Sequence, residues 1–350
     1  MPSVNTILLE LTNRCHRNCR HCAVSAGQEG TEHSLPSYVV QQAAEIGVRR
    51  IDLTGGEPML SPTFFATLAE IANAGITLSV CSTTGDLLDE CAIRRIRSAL
   101  SYLPVFCISL DGCDAVSGDY LRGAGAAKSA MNTIDRLGEF GAEVWVVTVL
   151  HTHNARSLLQ ILKWIEARNW ITRWKISPCR PSGRAAESGE LFPSSIQEFI
   201  VDIARVAQSD SLPIRIKIAD LFKYNWLYES ETYAASEHPC KYLGETLTIS
   251  PSGEVAPCPP GLESGYSLFR FGNIHRECLR EIVNGSRYSR FRMVTIRDFE
   301  TCASCALLEI CGGGCRALAC LSGKGIKGCD LVSMDRAKRI HEGLGSKCGG

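Results

Sequence analysis

The chain has 350 residues, enough to bury a large core and long enough for one big domain or two ordinary ones, of which two are expected. Its 37 lysines plus arginines cancel 37 aspartates plus glutamates, so no global field draws it to nucleic acid or to an acidic membrane, and neither is expected as a partner. No window approaches the ~20 unbroken apolar residues of a spanning helix, and the N-terminus lacks the basic, apolar and cleavage regions of an export signal, so a cytoplasmic location is expected.

In chain order, short apolar runs alternate with amphipathic segments through the first half. Residues 6–12, 49–55, 77–83, 105–111, 143–150 and 173–177 read as strands, each bounded by Gly, Pro or polar residues. Helices are expected over 35–47, 63–74, 87–99, 126–140 and 155–168. In "TFFATLAEIANAG" apolar positions recur at helical spacing and Gly75 follows as a stop signal. Six strands alternating with helices imply parallel β/α units, doubly wound or as part of a barrel. From about residue 180 the pattern changes. "CRPSGRAAESGE" reads as a loop, 194–208 as a helix, and 210–239 carries no regular period. After Cys240 strands are short and cysteines dense, and "TISPSGEVAPC" reads as a hairpin around Ser252-Gly253. This looks like a small domain too poor in apolar residues to hold together without metal. The final "GSKCGG" reads as a frayed tail.

Eighteen cysteines are the anomaly of the composition, since a reducing compartment does not maintain disulfides and such counts there point to metal or redox chemistry. Three of them, Cys15, Cys19 and Cys22, stand as CxxxCxxC in "ELTNRCHRNCRHCAVS", directly after the first strand. Such a loop lets three thiolates converge on one centre. Iron-sulfur clusters use thiolate ligands, and three cysteines on a four-iron cubane leave one iron open. Structural zinc is the alternative. It needs a fourth protein ligand, for which His16 and His21 are the nearby candidates.

At these residues the sequence resembles the radical SAM superfamily, whose signature is CxxxCxxC after the first barrel strand. "LTGGEP" (53–58) closes the second strand as that family's glycine-rich motif does, "SLDG" (109–112) closes the fourth, and "YLRGAG" (120–125) follows before a helix. The resemblance implies a partial (β/α)6 TIM-like barrel and an open iron chelated by the amino and carboxylate groups of S-adenosylmethionine. It implies that Gly55 and Gly56 let the backbone approach the methionyl amino group, and that Glu57 holds the ammonium or the turn itself. Ser109 and Asp111 would bond the carboxylate and ribose hydroxyls, and Arg122 would offer a planar fork of donors to a carboxylate. Read without the resemblance, Gly55-Gly56 is an ordinary turn and Asp111 a helix cap. The third strand departs from the family: many members read "TNG" where this chain reads "STTGD" (82–86), which leaves the role of Thr84 open.

Downstream, Cys240 and Cys258 frame Gly253, Cys302, Cys305, Cys311 and Cys315 form CxxCx5Cx3C, and Cys329 lies beyond. Together with "FGNI" (271–274) and "CGGGC" (311–315), this spacing resembles the SPASM extension of radical SAM enzymes, which holds two auxiliary 4Fe-4S clusters. Carried over, Cys302, Cys305, Cys311 and Cys329 would hold one cluster and Cys240, Cys258 and Cys315 the other, three clusters in all. The set of three leaves an open iron or recruits Cys278 or Cys320. The domains implied are a radical SAM partial barrel over 1–190, a bridging segment over 191–235 and a SPASM auxiliary-cluster domain over 236–350. A pair of zinc ribbons is the alternative for the second set.

Cys81, Cys91, Cys107, Cys113, Cys179, Cys278, Cys320 and Cys348 lie outside these sets and read mostly as small buried hydrophobes. Cys179 differs, because it lies just past the sixth strand, on the barrel side where substrates bind, and a thiol there could return a hydrogen atom to a substrate radical.

The function expected from the resemblance is a radical SAM oxidoreductase that cleaves S-adenosylmethionine to a 5'-deoxyadenosyl radical and takes hydrogen from a ribosomally synthesised peptide, forming a crosslink, an epimer or an oxidised product. The alternative is an epimerase or dehydrogenase of the same family acting on a sugar or alcohol. Partners implied are that peptide or small molecule and an external electron donor of flavodoxin or ferredoxin type. The chain begins almost at its first strand, so no N-terminal module for gripping a leader peptide is expected; this weakens the peptide reading without refuting it, since a separate partner protein could supply that function. Formylglycine formation is disfavoured, because Pro259 follows Cys258 where those enzymes carry an aspartate.

Overall fold

Six strand-helix alternations build the first half of the chain in the computed structural model, which describes residues 4–187, 215–218, 245–305, 313–321 and 323–327. The strands are β1 (Thr6–Glu10), β2 (Arg50–Thr54), β3 (Thr77–Thr83), β4 (Val105–Ser109), β5 (Val144–Leu150) and β6 (Ile171–Pro178). Between them run α1 (Pro36–Glu45), α2 (Phe64–Asn73), α3 (Glu90–Leu100), the single turn α4 (Ala115–Gly118), α5 (Ala126–Glu139) and α6 (Leu158–Glu166), and α7 (Arg184–Glu187) follows β6. Each long helix forms where apolar residues share one face. In α2 the buried positions Phe64, Leu68 and Ile71 are three and four residues apart, and Gly75 stops the chain at φ +67. In α3 Asp89 caps the first turn by accepting from the Ala92 N–H at 2.7 Å, while Ile93, Ile96 and Leu100 face the core.

All neighbouring pairs from β1 to β6 are parallel, so their carboxyl ends line one rim. That rim receives the cysteine loop after Glu10, Gly55-Gly56 after β2, Thr83-Thr84 at the end of β3, Ser109 to Asp111, His151 and Cys179. The sheet is open and continues beyond the six units in both directions, in the order β10-β9-β8-β1-β2-β3-β4-β5-β6-β7. β7 (Arg215–Ile218) extends it beside β6 within a stretch whose sequence shows no period. β8 (Thr246–Ile249), β9 (Glu254–Ala256) and β10 (Gly272–Asn273) extend it on the other side. The expected hairpin around Ser252-Gly253 is β8–β9, with Gly253 at φ +80. The helix expected over 194–208 lies outside the described residues.

The described part of the cysteine-rich region, 245–305, 313–321 and 323–327, builds onto the same sheet. β8 pairs in parallel with β1, Thr6 opposite Thr246 and Leu9 opposite Ile249. Short helices follow: α8 (Pro259–Glu263), α9 (Leu279–Asn284), α10 (Ser286–Met293), α11 (Glu300–Ala303) and α12 (Arg316–Leu321). Phe269, Phe271, Tyr288 and Phe291 pack ring to ring and join the same buried core as Ile7 and Leu9. Among the described residues, no helix is long and apolar enough to cross a membrane.

Candidate iron-sulfur and cofactor site

The loop after β1 holds Cys15 and Cys19 buried and Cys22 half-buried, and none of the three forms a disulfide. Its backbone is tied down along its length. The Cys15 N–H donates to Gly27 O at 2.6 Å and the Arg20 N–H to Leu121 O at 2.8 Å. The Ala26 N–H reaches Cys22 Sγ at 3.2 Å. One tether comes from the segment that follows β6. Arg184, in α7 past β6, donates from Nε to Cys19 O (2.7 Å), from Nη1 to Ala26 O (2.8 Å) and from its backbone N–H to Cys22 O (3.1 Å). Gly183 stands at φ +52 with its Cα so close that a Cβ would lie 2.2 Å from Cys22 O. Sequence reading did not single out Arg184. The only signal was a Ser-Gly-Arg turn just after a predicted strand, and its partner lies 165 residues away.

A second tether uses the divergent "STTGD" stretch. Asp86 accepts from Arg17 Nε (2.6 Å) and Nη2 (2.5 Å), from His16 Nε2 (2.6 Å) and from Ser129 Oγ. Burial opposes ionisation of this acid, but those donors overcome it and hold the carboxyl well below the usual carboxylate range. His16, a candidate fourth zinc ligand, is therefore engaged by Asp86. The other, His21, is kept neutral: burial, aided by Arg122, lowers its pKa to about 3.

The glycine-rich turn after β2 packs against the same loop. The Gly56 N–H donates to Thr12 O (2.7 Å) and the Glu57 N–H to Arg14 O (2.8 Å). A Cβ on Gly55, at φ +140, would lie 2.2 Å from Thr12 O, and one on Gly56 2.2 Å from Arg14 O. Crowding by neighbouring backbone is thus sufficient reason for both glycines. Glu57 is fully buried, and its carboxylate accepts from Thr83 Oγ1 (2.8 Å), the Thr84 N–H (2.7 Å) and Thr84 Oγ1 (2.8 Å). Glu57 also accepts from the Met59 N–H at 3.3 Å, so its carboxylate ties the turn after β2 to Thr83 and Thr84 at the end of β3.

Asp111 and Arg122 form an ion pair, Nε to Oδ2 at 2.6 Å, both side chains largely buried. Asp111 Oδ1 also accepts from the Val149 N–H at 2.7 Å, and Asn154 Nδ2 donates to the Asp111 carbonyl at 2.8 Å. Burial works against the charge on Arg122, but Asp111 and the nearby Cys19 raise its pKa. Ser109 ends β4, half-buried. Beside this pair, His21 Nδ1, His151 Nε2 and Arg184 Nη2 are buried with no hydrogen-bond partner among the described residues. A polar ligand beside the pair would meet that unfilled hydrogen-bonding capacity. His151 is also neutral, its pKa lowered to about 3 by burial and then by His153 and Arg122.

Burial pushes the Cys15 thiol up to about 11; the Arg17 N–H eases this, while Cys19, Glu57 and Cys22 add to it. Burial likewise raises Cys19, with Arg122 opposing. Ionising these thiols needs a positive partner. No three Cys, His, Asp or Glu side chains among the described residues are gathered so as to hold a single metal ion. Three thiols in one loop, with Glu57, Asp111 and His16 held elsewhere, suit a group that takes thiolates alone, as iron-sulfur clusters do. The orphaned polar atoms beside Arg122 suit a polar ligand next to it.

Of the second cysteine set, Cys240, Cys311 and Cys329 lie outside the described residues. Cys258 immediately precedes α8. Cys302 is buried with Ile296 and Phe299, and the Cys305 N–H donates to Cys302 O at 3.1 Å. Cys315 precedes α12 and, like Cys320 within it, packs against the main core. Cys278 caps α9, its thiol accepting from Glu281 N–H while Glu281 accepts from its own N–H. Cys179 is buried against Leu121 and Ala185, and burial pushes its thiol up to about 12.

The Radical SAM superfamily profile matches residues 9–165, and the SPASM profile, an iron-sulfur cluster-binding domain, matches 240–306. The chain is 29% identical over 341 residues to a PqqA peptide cyclase of Xanthomonas oryzae pv. oryzae, covering 91% of this chain and 84% of that protein. It is 26% identical over 340 residues to an AdoMet-dependent heme synthase of Nitratidesulfovibrio vulgaris, covering 91% and 89%. Its fold superposes on native anSMEcpe with bound AdoMet at a TM-score of 0.72 and 16% identity, covering 95% of each chain. On Streptococcus suis SuiB bound to precursor peptide SuiA the TM-score is 0.71 at 15% identity, over 94% of this chain and 75% of that one. With the two profiles spanning more than half of its length and its rim built as described, the chain belongs to the radical SAM superfamily, in the branch that carries a SPASM domain.

Proposed function

We propose that this protein is a radical SAM oxidoreductase of the cytoplasm that modifies a ribosomally synthesised peptide. The observation that carries the proposal is the tethered loop of Cys15, Cys19 and Cys22 beside the Asp111–Arg122 pair and three unpartnered polar atoms. A 4Fe-4S cluster with an open iron would bind S-adenosylmethionine and supply the electron that splits its carbon–sulfur bond, making a 5'-deoxyadenosyl radical that takes hydrogen from substrate. Cys15, Cys19 and Cys22 would hold that cluster. Cys240, Cys258 and Cys315, and Cys302, Cys305, Cys311 and Cys329, would hold two more.

The chain's own residues have separable tasks. Arg184 and Asp86 fix the cysteine loop from two sides. Asp111 orients Arg122 and leaves the rest of its donor fork for a cofactor carboxylate. Ser109 lines the same rim. Gly55, Gly56 and Glu57 shape the wall against which the cofactor's amino end would lie. The relationship to a peptide cyclase supports a peptide substrate. The comparable relationship to a heme synthase supports the second reading, a small molecule. The electron would come from a flavodoxin or ferredoxin, and a separate protein would present the peptide's leader.

The test is anaerobic reconstitution with iron and sulfide, then incubation with dithionite and S-adenosylmethionine. Formation of 5'-deoxyadenosine is expected, and Cys19→Ala should abolish it together with about a third of the bound iron if three equal clusters are present. Zinc as the only bound metal, with no 5'-deoxyadenosine, would end the reading. A mass change in a short peptide encoded beside the gene, and none in sugars or alcohols, would separate peptide from small-molecule substrate.

A further inference from the structure

A cleft of about 340 Å³ opens at the carboxyl end of β1, between the cysteine loop, the β8–β9 turn and α8. The acids that line it are Glu10, Glu254 and Glu263, and part of its wall is apolar, with Val24, Pro259 and Leu262. Glu10 is the last residue of β1 and only 7% exposed. It has no hydrogen-bond or ion-pair partner among the described residues, and it lines the cleft. Glu263 stands across from it and accepts from Ser182 Oγ at 2.6 Å, a neutral donor. Glu254 is already satisfied by Arg270 at 2.5 Å. Burial, with Glu263 adding to it, pushes the Glu10 carboxyl up to about 7.

A buried acid without a counter-charge is costly, and a strand end offers no reason to keep one when glutamine would fit the same space. Its volume falls in the range of small-ligand sites, roughly 300–1,000 Å³. The rest of the lining is polar but neutral, with Asn13, Ser25, Thr31, Ser250 and Ser252, so the acids are the charged groups a ligand would meet. An ammonium or guanidinium on a methylene stem matches both features, its charge between the carboxylates and its stem along the apolar wall.

We propose that the Glu10–Glu263 cleft is a binding subsite for an organic cation, an ammonium or guanidinium group carried by the substrate. The assignment rests on the catalytic reading above and deepens it: the substrate would present a lysine, an arginine or a free amine to this corner, beside the cysteine loop. Neither acid is part of the cofactor site, so the subsite acts in recognition only.

The experiment is titration calorimetry on the full, cluster-loaded chain under anaerobic conditions. The probes are n-butylamine for an ammonium, agmatine for a guanidinium and 1-butanol as the neutral control. The wild-type chain should bind at least one amine and not butanol, and which amine binds identifies the cation. E10Q and E263Q should each weaken that binding about tenfold or more, the usual consequence of losing a hydrogen bond to a charged group. Cofactor cleavage to 5'-deoxyadenosine without substrate should stay at the wild-type rate in both. No amine binding by the wild type, equal binding by both variants, or magnesium binding that E10Q removes while amines fail to bind would each overturn the subsite. Should E10Q not fold, E263Q decides. Amine binding in a chain that forms no 5'-deoxyadenosine would instead sink the enzymatic reading and leave the subsite standing.

Discussion

Arg184 shows how one side chain can set the geometry of a metal loop without being a ligand. Its guanidinium spans two carbonyls of the cysteine loop, Cys19 O and Ala26 O, and its backbone N–H takes a third. Replacing it with alanine would leave buried carbonyls unpaired, at a cost of about 1–3 kcal/mol each. R184A should therefore hold less iron and melt lower, and R184K should not restore it, because one ammonium cannot reproduce the planar fork. Iron content per chain and thermal melts check both. Buried histidines give a second expectation at this scale. Burial, with His275 adding slightly, lowers the pKa of His33 to about 4 from 6.5. Below about pH 6.5 the unfolded chain binds a proton that the folded chain refuses, so stability falls as pH drops toward 4. From about pH 7.5 to about 5.5 the loss at this residue is roughly 1 kcal/mol. H33N keeps the acceptor for the Leu35 N–H and should flatten that slope in anaerobic denaturant melts. Glu10 works in the opposite sense. With its pKa raised from 4.5 to about 7, its contribution declines as pH rises through that window.

Individual elements were legible wherever a residue pattern is long enough to declare one face. β5 alternates buried and half-buried positions through all seven residues, and α6 buries Leu158, Ile161, Leu162 and Ile165 on one stripe. β7 escaped because four residues, "RIKI", are too few to show a period, and it is parallel pairing with β6 that makes them a strand. The turn after β2 was legible as glycine-rich, but its packing on the cysteine loop was not. Gly55 and Gly56 are packed on Thr12 and Arg14, contacts between two loops that no local pattern encodes. G56A forces a Cβ onto Arg14 O and should destabilise the chain by about 1–3 kcal/mol. It should also loosen the cysteine loop, which is read as lower iron retention on gel filtration. A normal melt with full iron would show that the loop can yield.

Across the whole molecule, the decisive contact is the one between β8 and β1. Without it β1, carrying Ile7, Leu9 and the cysteine loop, would be an edge strand. A chain ending before residue 240 should therefore aggregate or elute as oligomers in size-exclusion chromatography, although all six β/α units remain. A monodisperse, iron-binding truncation would contradict this. The parallel architecture, the rim of motif ends and the cysteine loop were legible from sequence, because each is written in periodicities of two or 3.6 residues or in spacings a few residues long. The sequence also separated the cysteines by spacing into an N-terminal three and a C-terminal group. The fold alone decided that Glu57 bonds to Thr83 and Thr84, that Asp86 takes His16, that Arg184 clamps the cysteine loop, and that Glu10 lines a cleft with no counter-charge among the described residues. Each of these joins residues tens to hundreds of positions apart, and such pairings arise only when strands stack side by side and bring their carboxyl ends to one rim.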